Sequence, residues 1–161
     1  MKWFVKCIRN YATFKGRARR AEYWYFVLFS FLFTLAAMIL DGICFGEDYR
    51  IFSSLLSLFF FLPQLAVMVR RLHDTGRSGK IVLWYYITGF VWLVALMISG
   101  FSTFVALGAG SASGASTGFL ILLGLGGILF LVWGIFFLVW FCTAGTPGDN
   151  EYGPDPKAVA E

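Results

Sequence analysis

Charge is scarce in this sequence, and what there is of it is segregated. Asp, Glu, Lys and Arg make up 14% of 161 residues, against about 25% in soluble domains. Hydrophobic residues make up 59%, so a soluble globule of this length would lack the polar surface to enclose them. Histidine occurs once, as His73, which leaves no His-based metal-ligand spacing. The three cysteines, Cys7, Cys44 and Cys142, form no framework. Cys7 and Cys142 fall on the predicted cytoplasmic side and Cys44 alone on the other, which argues against an intrachain disulfide. Proline is also rare, and no Pro- or Ser-rich linker divides the chain, so residues 1–161 read as a single membrane domain. Gly76 to Lys80 is not a phosphate-binding P-loop, because the glycine spacing is wrong and Ile81 follows the lysine. No cofactor is expected.

What is present is long apolar sequence. Crossing the hydrocarbon layer takes about 20 mostly apolar residues, and four stretches qualify: 21–40, 51–69, 81–98 and 119–142. The last three contain no Asp, Glu, Lys or Arg, and the first has only Glu22, at its edge. A central Arg or Asp would cost about 2.5–3.5 kcal/mol, so charge-free windows of this length insert. The fold class is therefore all-α: an integral membrane four-helix bundle, with a basic amphipathic segment at residues 1–20 and a tail at 143–161. Charged and polar residues precede the first apolar run, which is longer than a signal-peptide core, so it reads as an uncleaved anchor.

The cations set an orientation. Seven lie between Lys2 and Arg20 and four between Arg70 and Lys80, of thirteen in all. The first connection offers only Arg50, beside Asp41, Glu47 and Asp48, and residues 99–118 carry no charge. Cytoplasmic loops carry the excess of Lys and Arg. Both termini are thus expected in the cytoplasm of a multi-pass protein of the bacterial inner membrane. Tyr23 to Tyr25, Trp84 to Tyr86 and Trp140 then fall at the inner headgroup level.

Local patterns refine this frame. Trp3, Phe4, Cys7, Ile8 and Tyr11 recur at helical spacing among Lys2, Lys6 and Arg9, predicting a short basic helix on the inner membrane surface. The first spanning helix is expected to stop at Asp41-Gly42. Pro63 removes a backbone donor from the second, leaving Ser57 or Gln64 to satisfy the freed group. Gly110, Gly114 and Gly118 recur every four residues, so residues 100–118 are either a flexible outer loop or an early start of the fourth helix. Gly124, Gly126, Gly127 and Gly134 predict a close helix-helix contact.

Three segments carry distinctive chemistry. They are Phe14-Lys15-Gly16-Arg17-Ala18-Arg19-Arg20-Ala21-Glu22-Tyr23-Trp24, Arg70-Arg71-Leu72-His73-Asp74-Thr75-Gly76-Arg77-Ser78-Gly79, and Gly148-Asp149-Asn150-Glu151-Tyr152-Gly153-Pro154-Asp155-Pro156. All three fall on the predicted cytoplasmic side. They resemble the YhaH/YhaI-type family of small bacterial inner-membrane proteins, a domain of unknown function, in order and from Trp3 to Pro156. The run from Arg70 to Gly79 is the most specific, and Lys80 stands where such proteins often have Trp. The resemblance implies a four-helix inner-membrane protein and supplies no activity.

An ion pair between Glu22 and an arginine of the 70–80 turn is expected to tie the first two motifs together. Gly76 and Gly79 permit a tight reversal, with Asp74, Thr75 or Ser78 as caps for the third spanning helix. The acids of the tail, Asp149, Glu151 and Asp155, are placed to dock on the basic turn. Glu22, His73, Asp74, Asn150, Tyr152 and Asp155 form the candidate structural network. Arg17, Arg19, Arg20, Arg70, Arg71 and Arg77 are candidates for binding an anion, a lipid headgroup or a partner, since guanidinium forks match phosphate geometry. The function expected is a non-enzymatic membrane module whose partners are membrane lipids, with a protein partner or a homo-oligomer possible and no nucleic acid. The alternative is a subunit of a small oligomeric transporter or channel, against which stands the absence of ionisable residues within the spans. A third reading, an enzyme using His73 and Asp74 as an acid-base pair, is weaker, because adjacent residues seldom point at one atom.

Overall fold

The computed structural model describes residues 1–46, 49–110 and 113–158. Five α-helices run in order: α1 Lys2–Arg9, α2 Arg20–Phe45, α3 Ile51–Asp74, α4 Lys80–Gly108 and α5 Ser113–Cys142. Among the described residues there is no strand, only an isolated bridge between Asn150 and Gly153. Helices α2 to α5 are each long and apolar enough to cross a membrane. At about 1.5 Å per residue, the 26 residues of α2 outrun the hydrocarbon layer.

The helices are longer than the apolar windows that predict them. Helix α2 does not stop at Asp41-Gly42 but continues to Phe45, where Gly46 at φ 67° ends it. Asp41 is occupied otherwise: its carboxylate accepts the N–H groups of Phe52 (2.8 Å) and Ser53 (2.9 Å) and the Ser53 hydroxyl (2.7 Å). Free N–H groups of an N-terminal turn are usually capped by the residue just before it. Here Arg50 makes no such bond, and the aspartate of the neighbouring helix caps α3 instead. The stretch 100–118 is not a flexible loop either, because α4 runs to Gly108 and α5 begins at Ser113. The acids Glu47 and Asp48, residues 111–112 and the end of the tail lie outside the described residues.

The chain divides into two compact units, Met1–Lys80 with Trp140–Glu161, and Ile81–Val139. In the first, α2 and α3 run antiparallel with Glu22 beside Arg70 at one end and Asp41 beside Ser53 at the other. Helix α1 packs on both. Phe4 lies 5.6 Å from the rings of Phe26, Phe29 and Phe33 and 6.0 Å from Phe60. The basic amphipathic helix thus exists, but it turns Phe4 into protein rather than into a headgroup layer. Tyr11, just beyond it, donates to the carbonyl of Phe59 at 2.7 Å. That carbonyl is the one Pro63, four residues on, cannot serve. A tyrosine from the N-terminal segment, not Ser57 or Gln64, relieves the proline.

In the second unit α4 and α5 also pair antiparallel. Tyr85 meets Phe130, Trp133 and Phe137, Gly89 faces Phe130 and Gly100 faces Phe119. Of the four glycines expected at a close contact only Gly126 makes one: a Cβ there would overlap the Trp92 indole. Gly124, Gly127 and Gly134 face open space among the described residues, as do Gly110, Gly114 and Gly118.

Candidate functional site

The three motifs meet at the Glu22–Arg70 end of the first unit. Two buried carboxylates organise it. Glu22 is fully buried, accepts from Arg70 Nη1 at 2.6 Å, and has Lys6 Nζ 3.1 Å from its other oxygen. Cys7 fills the remaining side, its Sγ 3.6 Å from the Glu22 carbonyl and 3.8 Å from Oε1. Burial, with the Glu22 charge second, pushes the Cys7 thiol up to about 12. Arg70 is nearly as buried, and its Nε and Nη2 find no hydrogen-bond partner among the described residues. Each such unmet donor costs about 1–3 kcal/mol, so the arginine leans heavily on its single bond to Glu22.

The second carboxylate is Asp74, at the end of α3. Arg17 Nε donates to its Oδ1 at 3.1 Å, with Arg17 Nη2 equally close, and Arg71 Nη1 donates to Oδ2. Asp74 therefore caps nothing in the turn. Ser78 takes that role, its hydroxyl accepting from Lys80 N–H at 3.3 Å. Arg17 spends its remaining donors on the carbonyls of Gly148 and Thr146, each at 2.6 Å. Arg71 reaches the carbonyls of Phe141, at 3.3 Å, and Thr143, and Arg20 that of Cys142 at 3.1 Å. These carbonyls close α5, where the helix dipole presents about half a negative charge. Buried Arg17, Arg70 and Arg71 outnumber buried Glu22 and Asp74 by one, and the carbonyl ends offset the excess.

The tail docks mainly by its backbone. Thr146 N–H donates to the Asp74 carbonyl at 2.8 Å, Asn150 Nδ2 to that of His73 at 3.0 Å, and Arg19 Nε to that of Pro156 at 2.6 Å. Gly145 passes so close to the Asp74 carboxylate that a Cβ would overlap it. The tail acids were expected on the basic turn, but Asp149 and Asp155 instead hold their own loop: Asp149 accepts from Asp155 N–H, and Asp155 from Gly148 and Lys157 N–H. The Lys157 N–H foremost holds the Asp155 carboxyl below its usual range. Short acids bond nearby N–H groups, and the guanidinium groups of Arg17 and Arg71 are already taken by Asp74 and by carbonyls.

His73 lies flat on Tyr152, ring centroids 4.0 Å apart and planes 5° apart, and its Nδ1 is 3.1 Å from the Gly16 carbonyl, so that nitrogen is the protonated donor. Its Nε2 tucks against Gly79. His73 and Asp74 thus face different partners and converge on no common point. Of the six candidate arginines, Arg17, Arg70 and Arg71 are buried in the network, whereas Arg77 lies over the Trp140 ring at 5.0 Å. A second cation-aromatic cluster sets Lys2, Lys6 and Arg19 around Trp3, each within 5.4 Å of its centroid. Sequence reasoning missed Lys6 and Cys7 as parts of the site; the helical spacing around them marked a face but not what it would meet.

A polytopic helical membrane protein with one end locked by ion pairs is the class these features define. The chain belongs to the family described as "Protein of unknown function (DUF805)", whose model matches residues 11–154. It is 33% identical to the inner membrane protein YhaH of Escherichia coli (strain K12), over 98% of each chain. It is equally identical to YhaI of the same strain, over 98% of this chain and 97% of the relative. To the uncharacterized protein YiiR it is 30% identical over 91% and 88%. No solved structure matches.

Proposed function

We propose that this protein is a non-enzymatic module of the bacterial inner membrane, with both termini in the cytoplasm and a rigid basic rim that binds anionic lipid headgroups. The observation that carries the reading is the division of labour among the cations. Arg17, Arg70 and Arg71 are buried inside the network, while Lys2 is exposed beside Trp3 and Arg77 lies half-buried on Trp140. Amphipathic rings prefer the headgroup level, and a cation held over an aromatic face beside lipid phosphate pairs without first being ordered. The ion-paired interior then serves as the frame that holds the rim in register.

Native mass spectrometry of gently extracted protein, offered phosphatidylglycerol and phosphatidylcholine in equal amounts, tests this. The parent should retain the anionic lipid, and Lys2→Gln with Arg77→Gln should lose that preference at unchanged melting temperature. Equal retention of both lipids by the parent defeats the proposal, as does retention of a co-purified protein in place of lipid.

A further inference from the structure

The network leaves a different feature unexplained, within the apolar stretch of α2 and α3. Between α2 and α3 lies an open groove of about 420 Å³, lined by Ser30 and Thr34 from one helix, Ser57 and Gln64 from the other, and aromatic rings including Phe31 and Phe61. Ser30 is satisfied by the Val27 carbonyl of its own helix. Gln64 is half-buried, and its amide finds no hydrogen-bond partner among the described residues. It sits five residues before Val69, where the apolar window of α3 ends, or about 8 Å along the helix and inside the hydrocarbon. Water does not reach a carboxamide there, and an acyl chain offers it neither donor nor acceptor.

From this we infer that the α2–α3 groove is the contact face of a homodimer, closed by reciprocal hydrogen bonds between the Gln64 amides of two copies. A second copy is the occupant the geometry favours. Every copy inserts with the same orientation, so it presents its own Gln64 at the same depth. A primary amide is self-complementary: each N–H donates to the other's carbonyl, as a two-fold axis along the membrane normal requires. Ser57 lies seven residues from Gln64 and Thr34 four from Ser30, so both rows follow the groove and bring small hydroxyl side chains to the seam, where polar side chains bond across helices. The inference does not depend on lipid binding at the basic rim.

Photobleaching of singly labelled protein at low density in lipid bilayers reads the dimer fraction directly. Gln64→Leu, which suits hydrocarbon and should fold, is expected to weaken self-association roughly tenfold, with Gln64→Asn retaining part of it. In a chain whose native cysteines are serine, Ser57→Cys should oxidise to a covalent dimer. A monomeric parent, a dimer unaffected by Gln64→Leu, or a Ser57→Cys chain that links only to a different protein would overturn the inference. Loss of lipid preference at the rim with dimerisation intact would defeat only the earlier proposal.

Discussion

At the scale of single residues, the helix-breaking proline is the place where a local rule and a distant contact meet. Pro63 deprives the Phe59 carbonyl of its helical partner, and the Tyr11 hydroxyl, 48 residues away, supplies one. Leaving that acceptor unmet should cost about 1–2 kcal/mol, so Tyr11→Phe should lower the melting temperature in detergent. The decisive measurement is a double-mutant cycle. Pro63→Ala restores an N–H for Phe59, so in that background Tyr11→Phe should be nearly neutral; equal costs in both backgrounds would show that the hydroxyl acts otherwise. The sequence makes the need for a partner legible but not its source, because Ser57 and Gln64 are nearest along the helix whereas proximity in space is set by how α1 packs. Asp41 poses the same difficulty, since Asp-Gly reads as a stop signal until α3 is seen to need a cap.

At the scale of elements, apolar periodicity reports helices well and their ends poorly. The four spans follow from hydrophobic run length, yet each helix outlasts its window: charged residues join the terminal turns of α2 and α3 once partners are provided, and uncharged residues between 99 and 118 extend α4 and α5. Arg70, Arg71 and Asp74 are all helical. The Glu22–Arg70 bond illustrates the energetics. Removing one member of a buried pair typically costs about 3–5 kcal/mol, since the other is left charged and unmatched. Glu22→Gln should therefore destabilise by about 3 kcal/mol, read as a drop in melting temperature with helicity retained. Replacing Arg70 by Met as well removes the stranded cation, and Lys6, whose side chain is 45% exposed, can return to water. The double variant should recover more than half of the loss. If it melts below Glu22→Gln alone, Arg70 contributes chiefly through its packed hydrocarbon stem.

At the scale of the whole molecule, charge segregation builds the locked end, and in the proposed topology it also orients the chain, which the native cysteines can test without any added reporter. Cys44 is exposed one residue before the end of α2, and Cys142 is exposed where α5 ends beside the arginine network. Cys7 is buried and paired with Glu22. With its thiol pushed up to about 12, only about one molecule in ten thousand carries the reactive thiolate at pH 8. A membrane-impermeant maleimide added to intact spheroplasts should label Cys44 alone, and added to inside-out vesicles should label Cys142 alone. Cys7 should stay silent in both until the protein is denatured. Replacing Arg70 and Arg71 by Gln leaves nine of the eleven cations in the two basic segments, enough to keep this labelling pattern while the melting temperature falls. Labelling of Cys142 from the spheroplast side would reverse the orientation; a pattern that flips with those two substitutions would mean that the ion-paired network, rather than the cation count, decides which way the chain inserts.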